Sequence, residues 1–389
     1  MVETKEIEQS NKISSFGLSS FFITLTSSGF LSMGSYIIFS LTNIDAYISA
    51  IIGTILGVIP FLIYIFIAKN SEDKDIIDLN ISLFGKTIGI TLNVILNVVI
   101  FFISVLSLYN ISQFVDIQFM PETESIYLKI LILLPIAYAA SKSITSIAKI
   151  SQIFMFIKLG FILITILGVL KSVNISFIYP IMKNGVIPPL IGSLVYMIFF
   201  TYPFFLLTII PKNQVIEEKH SKRKMLLLFL ISNLIILIRF FLVATILGED
   251  IIPMLRYPEY IILKKFQLFS LIERVENILA LYFIFNNIMY QIISFYFIIK
   301  SIKKIKIFNK VKNDNGYPYI LAALVLISAT MIFKNTAQAA HLIKNYVPYI
   351  IVGGIFIPML ITFFALLLKK GVSFVKIIKQ RESGINVNE

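Results

Sequence analysis

Long apolar runs separated by short polar segments make up most of this chain, from one end to the other. Runs of about 18 residues or more are typical of helices that cross a lipid bilayer. No linker or low-complexity segment interrupts the pattern, so residues 1–389 are predicted to form a single membrane domain. About ten spans are predicted, covering residues 16–41, 46–68, 87–110, 127–141, 150–170, 187–210, 225–247, 272–298, 317–333 and 346–368.

Two of the predicted spans have interrupted centres. Span one carries clusters of Ser and Gly at residues 27–29 and 32–35, and span six is punctuated at residues 192–193 and by Thr201-Tyr202-Pro203. Proline removes a backbone donor and crowds the preceding helical turn. Broken helices at matching positions of two halves are typical of transporter binding sites. The pattern predicts an all-α polytopic membrane protein with a five-plus-five inverted repeat and broken spans one and six.

An unwound backbone at membrane depth is tolerated only where it faces protein or a polar cavity. Its free amides begin the positive end of the next half-helix, which suits a carboxylate ligand. Close packing of small residues between helices is the alternative explanation for the Gly and Ser clusters. The predicted ligand-binding residues are Ser27, Ser28, Gly29, Phe30, Leu31, Gly34, Tyr196, Thr201, Tyr202 and Asn286.

Composition and charge narrow the class of protein further. Charged residues make up 14% of the chain, whereas soluble domains carry roughly a quarter. The net charge of +13 is spread over short loops, which argues against a nucleic-acid surface. About 23 of the 34 Lys and Arg residues lie in alternate segments that include both termini, and about eight lie in the opposite loops. The positive-inside rule therefore predicts cytoplasmic N- and C-termini.

Five local motifs resemble one known family and occur in that family's order. The motifs lie at Phe84–Gly89, Met120–Thr123, Met182–Pro188, Arg256–Glu259 and Leu271–Glu276. With them, the sequence resembles the B-subunits of bacterial spore germinant receptors, the spore permeases of the amino acid–polyamine–organocation superfamily. One feature departs from the family, because Pro203 is followed by Phe204-Phe205-Leu206 where relatives often carry an acidic motif.

The resemblance implies a LeuT-like fold and a receptor complex in the spore inner membrane. Receptor A- and C-subunits would be the partners, and a small nutrient, usually an amino acid, would be the ligand that triggers germination. Proton-coupled members of the superfamily place a span-five lysine amine near the break in span one, and Lys158 resembles that lysine. Lys158 is therefore a candidate coupling or structural cation; a lysine that snorkels to the membrane surface is the alternative.

Arg239 is a second charge inside a predicted span. Because arginine stays ionised, it needs an acid, carbonyl groups or water, or it snorkels outward. Glu273, Glu276 and Glu259 are its candidate partners, and Glu273, Arg274 and Glu276 also pair at helical spacing. The sequence predicts an ion-pair network of Arg239, Glu273, Arg274 and Glu276 at the outer side.

Asparagines in spans three and eight offer further polar groups. For Asn93 and Asn97 in span three, hydrogen bonds between helices are the preferred interpretation. For Asn286, Asn287 and Tyr290 in span eight, ligand contact and interhelical bonding remain equally open.

Catalytic and metal motifs are lacking in the sequence. The two histidines, His220 and His341, are isolated, no Cys is present, and no phosphate-binding loop occurs. The sequence predicts no enzyme, no cofactor and no metal site. A nutrient receptor is the preferred function, and a proton-coupled amino acid permease and a scaffolding subunit are the alternatives.

Overall fold

The computed structural model describes residues 12–26, 33–216, 221–265, 275–305, 316–333 and 335–382. Regular structure in these residues is helical, apart from an isolated bridge between Ile13 and Val215. This confirms the predicted all-α class. The α-helices, numbered in chain order, are α1 (Ser15–Thr26), α2 (Ser35–Thr42), α3 (Ala46–Asn70), α4 (Ile76–Phe119), α5 (Ser125–Ala140), α6 (Ile144–Val169), α7 (Ile187–Leu206), α8 (Ser221–Leu247), α9 (Pro258–Ile261), α10 (Val275–Ile305), α11 (Tyr317–Ile332), α12 (Thr336–Asn345), α13 (Val347–Ile351) and α14 (Ile357–Glu382).

Each of the ten predicted spans contains an apolar helix. By length and hydropathy, seven helical segments of the described residues can cross a membrane, or eight if α11 and α12 form one bent span. This count joins α2 and α3 into one segment, Ser35–Asn70. Helices α1 and α5 are apolar but only 12 and 16 residues long, shorter than the roughly 20 residues of a full span. The exact number of ten spans therefore stays a prediction.

Two groups of contacts between loops lie at opposite ends of the helices. At one end the side-chain amide of Asn43 donates to the backbone oxygen of Glu249 at 2.9 Å, and Lys183 pairs with the Glu249 carboxylate at 3.0 Å. At the other end Lys369 pairs with Glu72 at 3.0 Å. Loops predicted to share a membrane side thus touch one another. We call the first end the outer side and the second the inner side, following the predicted orientation.

The Phe84–Gly89 motif builds a reversal at the start of span three. Gly85 has φ 77° and ψ 176° within α4, a conformation that glycine adopts at little cost. Residues 76–84 therefore fold back along the span that follows. A Cβ atom on Gly89 would lie 2.6 Å from the Cα atom of Ile81, so only glycine allows this approach. The side-chain amide of Asn80 donates to Asn93 at 2.8 Å across the same contact.

Aromatic side chains join helices α1, α3, α7 and α8 into one packed group. The rings of Phe22 in α1 and Phe204 in α7 are 5.0 Å apart, and those of Phe61 in α3 and Phe229 in α8 stack at 4.4 Å. All four side chains are buried. Aromatic pairs of this kind add about 0.5–1.5 kcal/mol each beyond the apolar area that they bury.

The predicted break in span six is not found. Helix α7 runs without interruption from Ile187 to Leu206, through Gly192-Ser193 and Thr201-Tyr202-Pro203. Pro203 lies in the last turn of α7, so the carbonyl of Phe199 loses its helical donor only shortly before the helix ends. A Cβ atom on Gly192 would lie 2.6 Å from the Ser49 hydroxyl, so this glycine permits close contact with α3. Small-residue packing, the alternative interpretation, explains the Gly192-Ser193 pair.

Candidate functional site

Span one contributes helices α1 and α2 to the described residues, and residues 27–32 between them lie outside that part of the chain, so the predicted break in span one stays a prediction. Helix α1 ends at Thr26, and α2 begins at Ser35, directly after Gly34. The predicted ligand-binding residues Ser27, Ser28, Gly29, Phe30 and Leu31 lie outside the described residues, so their ligand contacts stay predictions. We therefore describe the candidate site by the side chains that lie next to the end of α1 and the start of α2.

Lys158 in α6 contacts the end of α1. Its side chain is 3% exposed, and its ammonium group donates a hydrogen bond to the backbone oxygen of Ile23. This carbonyl lies in the last turn of α1, where the helix dipole favours a cation. The hydroxyls of Thr24 and Ser151 hydrogen-bond at 3.0 Å and join the same two helices. The structure therefore places the predicted cation next to the end of α1, and its coupling role stays a prediction.

Arg239 in α8 forms a buried ion pair with Glu259 of the outer loop. The guanidinium Nη2 and carboxylate Oε1 atoms are 3.2 Å apart, and the two side chains are 6% and 2% exposed. Glu259 is therefore the observed partner of Arg239 among the three candidates. Glu273 and Arg274 lie outside the described residues, and the side chain of Glu276 is also outside them, so the rest of the predicted network stays a prediction.

Glu259 also reaches the start of α2. The Ser35 hydroxyl lies close to its carboxylate, so the outer loop approaches α2. Burial raises the pKa of the Glu259 carboxyl above its usual value, while the charge of Arg239 and the Ser35 hydroxyl act in the opposite direction. Two charged residues therefore lie next to the helices of span one: Lys158 of α6 contacts α1, and Glu259 of α9 lies close to α2.

Helices α7 and α10 contribute a cluster of buried hydroxyls. The rings of Tyr202 and Tyr290 meet edge to face at 5.8 Å, and the Tyr290 hydroxyl lies close to those of Tyr202 and Ser294. All three side chains are at most 2% exposed. None of the three oxygens makes a hydrogen bond of good geometry to a described group. Buried donors without such a bond are suited to a polar ligand.

The other predicted ligand residues are engaged in helix packing. The Tyr196 hydroxyl donates to the Asn233 side chain at 3.0 Å, and the Thr201 hydroxyl donates to the backbone oxygen of Met197 at 2.7 Å. Asn286 is 3% exposed in α10. Tyr202 thus lies next to Tyr290, whereas Tyr196 bonds to α8 and Thr201 bonds within α7. Ligand contacts by Tyr196, Thr201, Asn286 and Gly34 stay predictions.

The span-three asparagines hold helices together, as the preferred interpretation stated. Asn93 donates to the backbone oxygen of Ile77 at 3.0 Å, and Asn97 donates to the Ser301 hydroxyl in α10. In span eight, Asn287 accepts a hydrogen bond from Ser107 of α4 at 3.1 Å. These contacts tie spans three and eight together along their length.

Sequence reasoning missed a buried charge cluster at the inner side. Asp75 is 1% exposed and caps α4 by accepting the backbone N–H of Asp78 at 3.2 Å. Its carboxylate also pairs with Lys300 at 3.1 Å and with Lys304 at 2.6 Å. Lys300 in turn donates to the backbone oxygen of Ile209, just beyond α7, at 2.8 Å. The i, i+4 spacing of the two lysines was the available signal, but loop lysines resembled ordinary positive-inside charges.

A cavity of about 100 Å³ also opens at the inner side, and the residues of the buried charge cluster do not line it. Helices α1, α3 and α8 and the chain after α7 form its walls. Phe22 and Tyr64 line its apolar part, and Lys69, Lys212 and Lys224 line its polar part. None of the predicted ligand residues lines this cavity. Within the described ranges, no group of three or more His, Cys, Asp or Glu side chains could hold a metal ion.

Known proteins provide an independent comparison. Residues 12–341 match the spore permease family, described as "Spore germination protein". In fold, the chain is similar to the substrate-bound, outward-open structure of a Na⁺-coupled sialic acid symporter. The TM-score is 0.59 at 14% sequence identity, over 88% of this chain and 78% of that one. No curated protein matches the sequence. The fold is therefore LeuT-like, as predicted.

Proposed function

Because the chain belongs to the spore germination protein family, we propose that it is the membrane subunit of a spore germinant receptor. It binds a small nutrient, with an amino acid as the favoured class, between span one and spans six and eight. Binding triggers germination through A- and C-type receptor subunits in the spore inner membrane, and both termini are cytoplasmic. The family supports the germination role, and the transporter fold supports a small-molecule site.

One observation carries the location of the site. A charged residue lies next to the end of α1 and another next to the start of α2: Lys158 contacts Ile23, and Glu259 lies close to Ser35. The N-terminal end of α2 favours an anion such as a ligand carboxylate. The hydroxyls of Tyr202 and Tyr290 offer hydrogen bonds to a polar ligand. A zwitterion of amino acid size matches this combination of groups.

Equilibrium binding tests the proposal directly. The full chain in lipid nanodiscs is dialysed against each of the twenty standard amino acids, carrying a radioactive label. We expect saturable binding of at least one of them, and at least a tenfold weaker affinity in Gly29→Leu and Gly34→Leu. Gly160→Ala is the matched control, because a Cβ atom there meets nothing within 4 Å. Unchanged affinity in both leucine variants would place the site elsewhere, and the absence of saturable binding for every amino acid would favour the scaffold function.

The buried amine of Lys158 favours a second candidate, a proton-coupled amino acid permease. A lysine amine at a helix end can release and regain a proton during a transport cycle, which an arginine cannot. Proteoliposomes with an inwardly directed proton gradient distinguish the two functions. Accumulation of labelled amino acid that is lost in Lys158→Met indicates a carrier. Binding without accumulation indicates a receptor.

A further inference from the structure

A small cavity lies on the outer half of the molecule between α6, α8 and the outer loop. Its volume is about 10 Å³. Ile162, Leu242 and Leu263 form apolar walls, and Thr165, Arg239 and Glu259 form polar ones. One water molecule needs roughly 10–15 Å³ on this measure, together with two to four polar partners. The cavity therefore has the size and the lining of a site for one water molecule.

Two of the lining groups lack a hydrogen bond within the described residues. The Thr165 hydroxyl and the Oε2 atom of Glu259 are buried, and neither has a partner there. Other threonines in the spans, such as Thr208, donate to a carbonyl of the preceding turn. Thr165 makes no such bond. A buried polar group without a partner costs about 1–3 kcal/mol, so both atoms favour a bound molecule that satisfies them.

We propose that this cavity binds one water molecule, which donates to the Oε2 atom of Glu259 and hydrogen-bonds the Thr165 hydroxyl. Charge excludes the other small occupants. The Arg239 guanidinium lines the cavity and repels a cation, and the Glu259 carboxylate repels an anion such as chloride. A neutral molecule with both donors and acceptors fits the ion pair and the hydroxyl together.

The water joins α6 to the outer loop and so to span one. Thr165 lies two helical turns beyond Lys158, about 10 Å along α6. Helix α6 therefore contacts α1 directly through Lys158, and it reaches α2 through Thr165, the water, Glu259 and Ser35. A ligand bound between α1 and α2 would lie between Lys158 and Glu259. That last step, unlike the water site, rests on the proposed function.

A structure of the full chain that resolves ordered water tests the site. We expect one density peak within about 2.6–3.2 Å of both the Thr165 hydroxyl and the Glu259 Oε2 atom. A well-ordered cavity without that peak, or a peak with the coordination of an ion, would overturn the proposal.

A double-mutant cycle on apparent melting temperature provides a second test, without any ligand. Thr165→Val keeps the side-chain volume and removes the hydroxyl, and Glu259→Gln removes the charge. Thr165→Val should lower the melting temperature by about 2–4 °C. Glu259→Gln should lower it more, because it also leaves the buried charge of Arg239 without its partner. If one water links the two groups, the double variant should lose clearly less than the sum.

Thr208→Val combined with Glu259→Gln is the matched control, because the Thr208 hydroxyl bonds the backbone oxygen of Phe205 at the inner side. Additive losses are expected for this pair, whereas additivity in the Thr165 cycle would refute the water link. If Thr165→Val does not fold, Thr165→Ala replaces it in the same cycle. The outcome does not depend on ligand binding, so failure of the proposed function would be seen separately.

Discussion

The ammonium group of Lys158 donates a hydrogen bond to the backbone oxygen of Ile23, 135 residues earlier in the chain. The contact connects predicted span five to the last turn of α1. Thr26 donates to the same oxygen at 3.1 Å, so the carbonyl keeps a partner when the lysine is replaced. This geometry allows the function of Lys158 to be separated from its contribution to folding.

Lys158→Met should impair the ligand response more than it impairs stability. The variant keeps the apolar stem and removes the ammonium group, so packing is largely retained. We expect at least a tenfold loss of amino acid affinity or uptake, which corresponds to about 1.4 kcal/mol. Lys129→Met is the matched control, since Lys129 is 5% exposed in α5 and lies over the ring of Tyr109. Equal losses in the two variants would refute a specific role for Lys158.

Single replacements in the Arg239–Glu259 pair should be costly. Removing one partner of a buried ion pair leaves the other charge buried, which costs about 3–5 kcal/mol. Arg239→Met and Glu259→Leu should each lower the melting temperature strongly, and the double variant should recover most of the loss. Thermal unfolding in detergent measures all three variants. A double variant as unstable as the two single changes combined would contradict the pairing.

Stability should depend on pH through Glu259. Because burial raises its pKa in the folded protein, the folded state binds more protons than the unfolded state between the usual carboxyl value and the raised one. In that window stability falls as pH rises, by up to about 1.4 kcal/mol per pH unit. Glu259→Gln should lack this slope, which unfolding measured at a series of pH values detects. The same slope in wild type and variant would assign the effect to another group.

The inner charge cluster should contribute more than exposed ion pairs do. Asp75→Asn keeps a side-chain oxygen for the cap of α4 but removes the charge that faces Lys300 and Lys304. We expect a loss of about 2–4 kcal/mol, seen as a lower melting temperature. Glu72→Gln is the control, because its pair with Lys369 has exposed side chains and exposed pairs contribute about 0–1 kcal/mol. A larger effect at Glu72 would contradict this ranking.

Close packing of α3 against α7 makes Gly192 sensitive to any side chain. Gly192→Ala would place a methyl group 2.6 Å from both the Ser49 hydroxyl and the Thr42 methyl group, so the helices must separate. Overpacking of this kind costs about 1–3 kcal/mol. Gly160→Ala should be neutral or slightly stabilising, because alanine favours a helix by up to about 1 kcal/mol. Expression level and melting temperature of the two variants check the difference.

Hydropathy predicted the helical class because each span needs a long apolar run, and these runs are visible in the sequence. The family motifs gained structural reasons only in three dimensions: Gly85 turns the chain into span three, and Glu259 pairs with Arg239. The predicted break in span six was wrong because Gly and Pro occur both in closely packed helices and in broken ones. Their presence in the sequence does not distinguish the two cases. Gly192 supports packing, and Pro203 lies near a helix end.

Long-range partners were out of reach of sequence reasoning. Thr165 and Ser35 look like ordinary small polar residues of apolar spans, and only the packing of α6, α8 and the outer loop brings both near Glu259. The hydroxyl cluster was partly detectable, since Tyr290 and Ser294 lie four residues apart on α10. Its other member, Tyr202, comes from a different helix and carries no signal of that proximity.

The bond from Lys300 to the backbone oxygen of Ile209 has a mechanical consequence. The same amine also pairs with Asp75, the N-terminal cap of α4. The contact therefore joins α10, the inner loop before α4 and the segment that follows α7. An opening of the inner side would therefore either break this contact or move all three parts together.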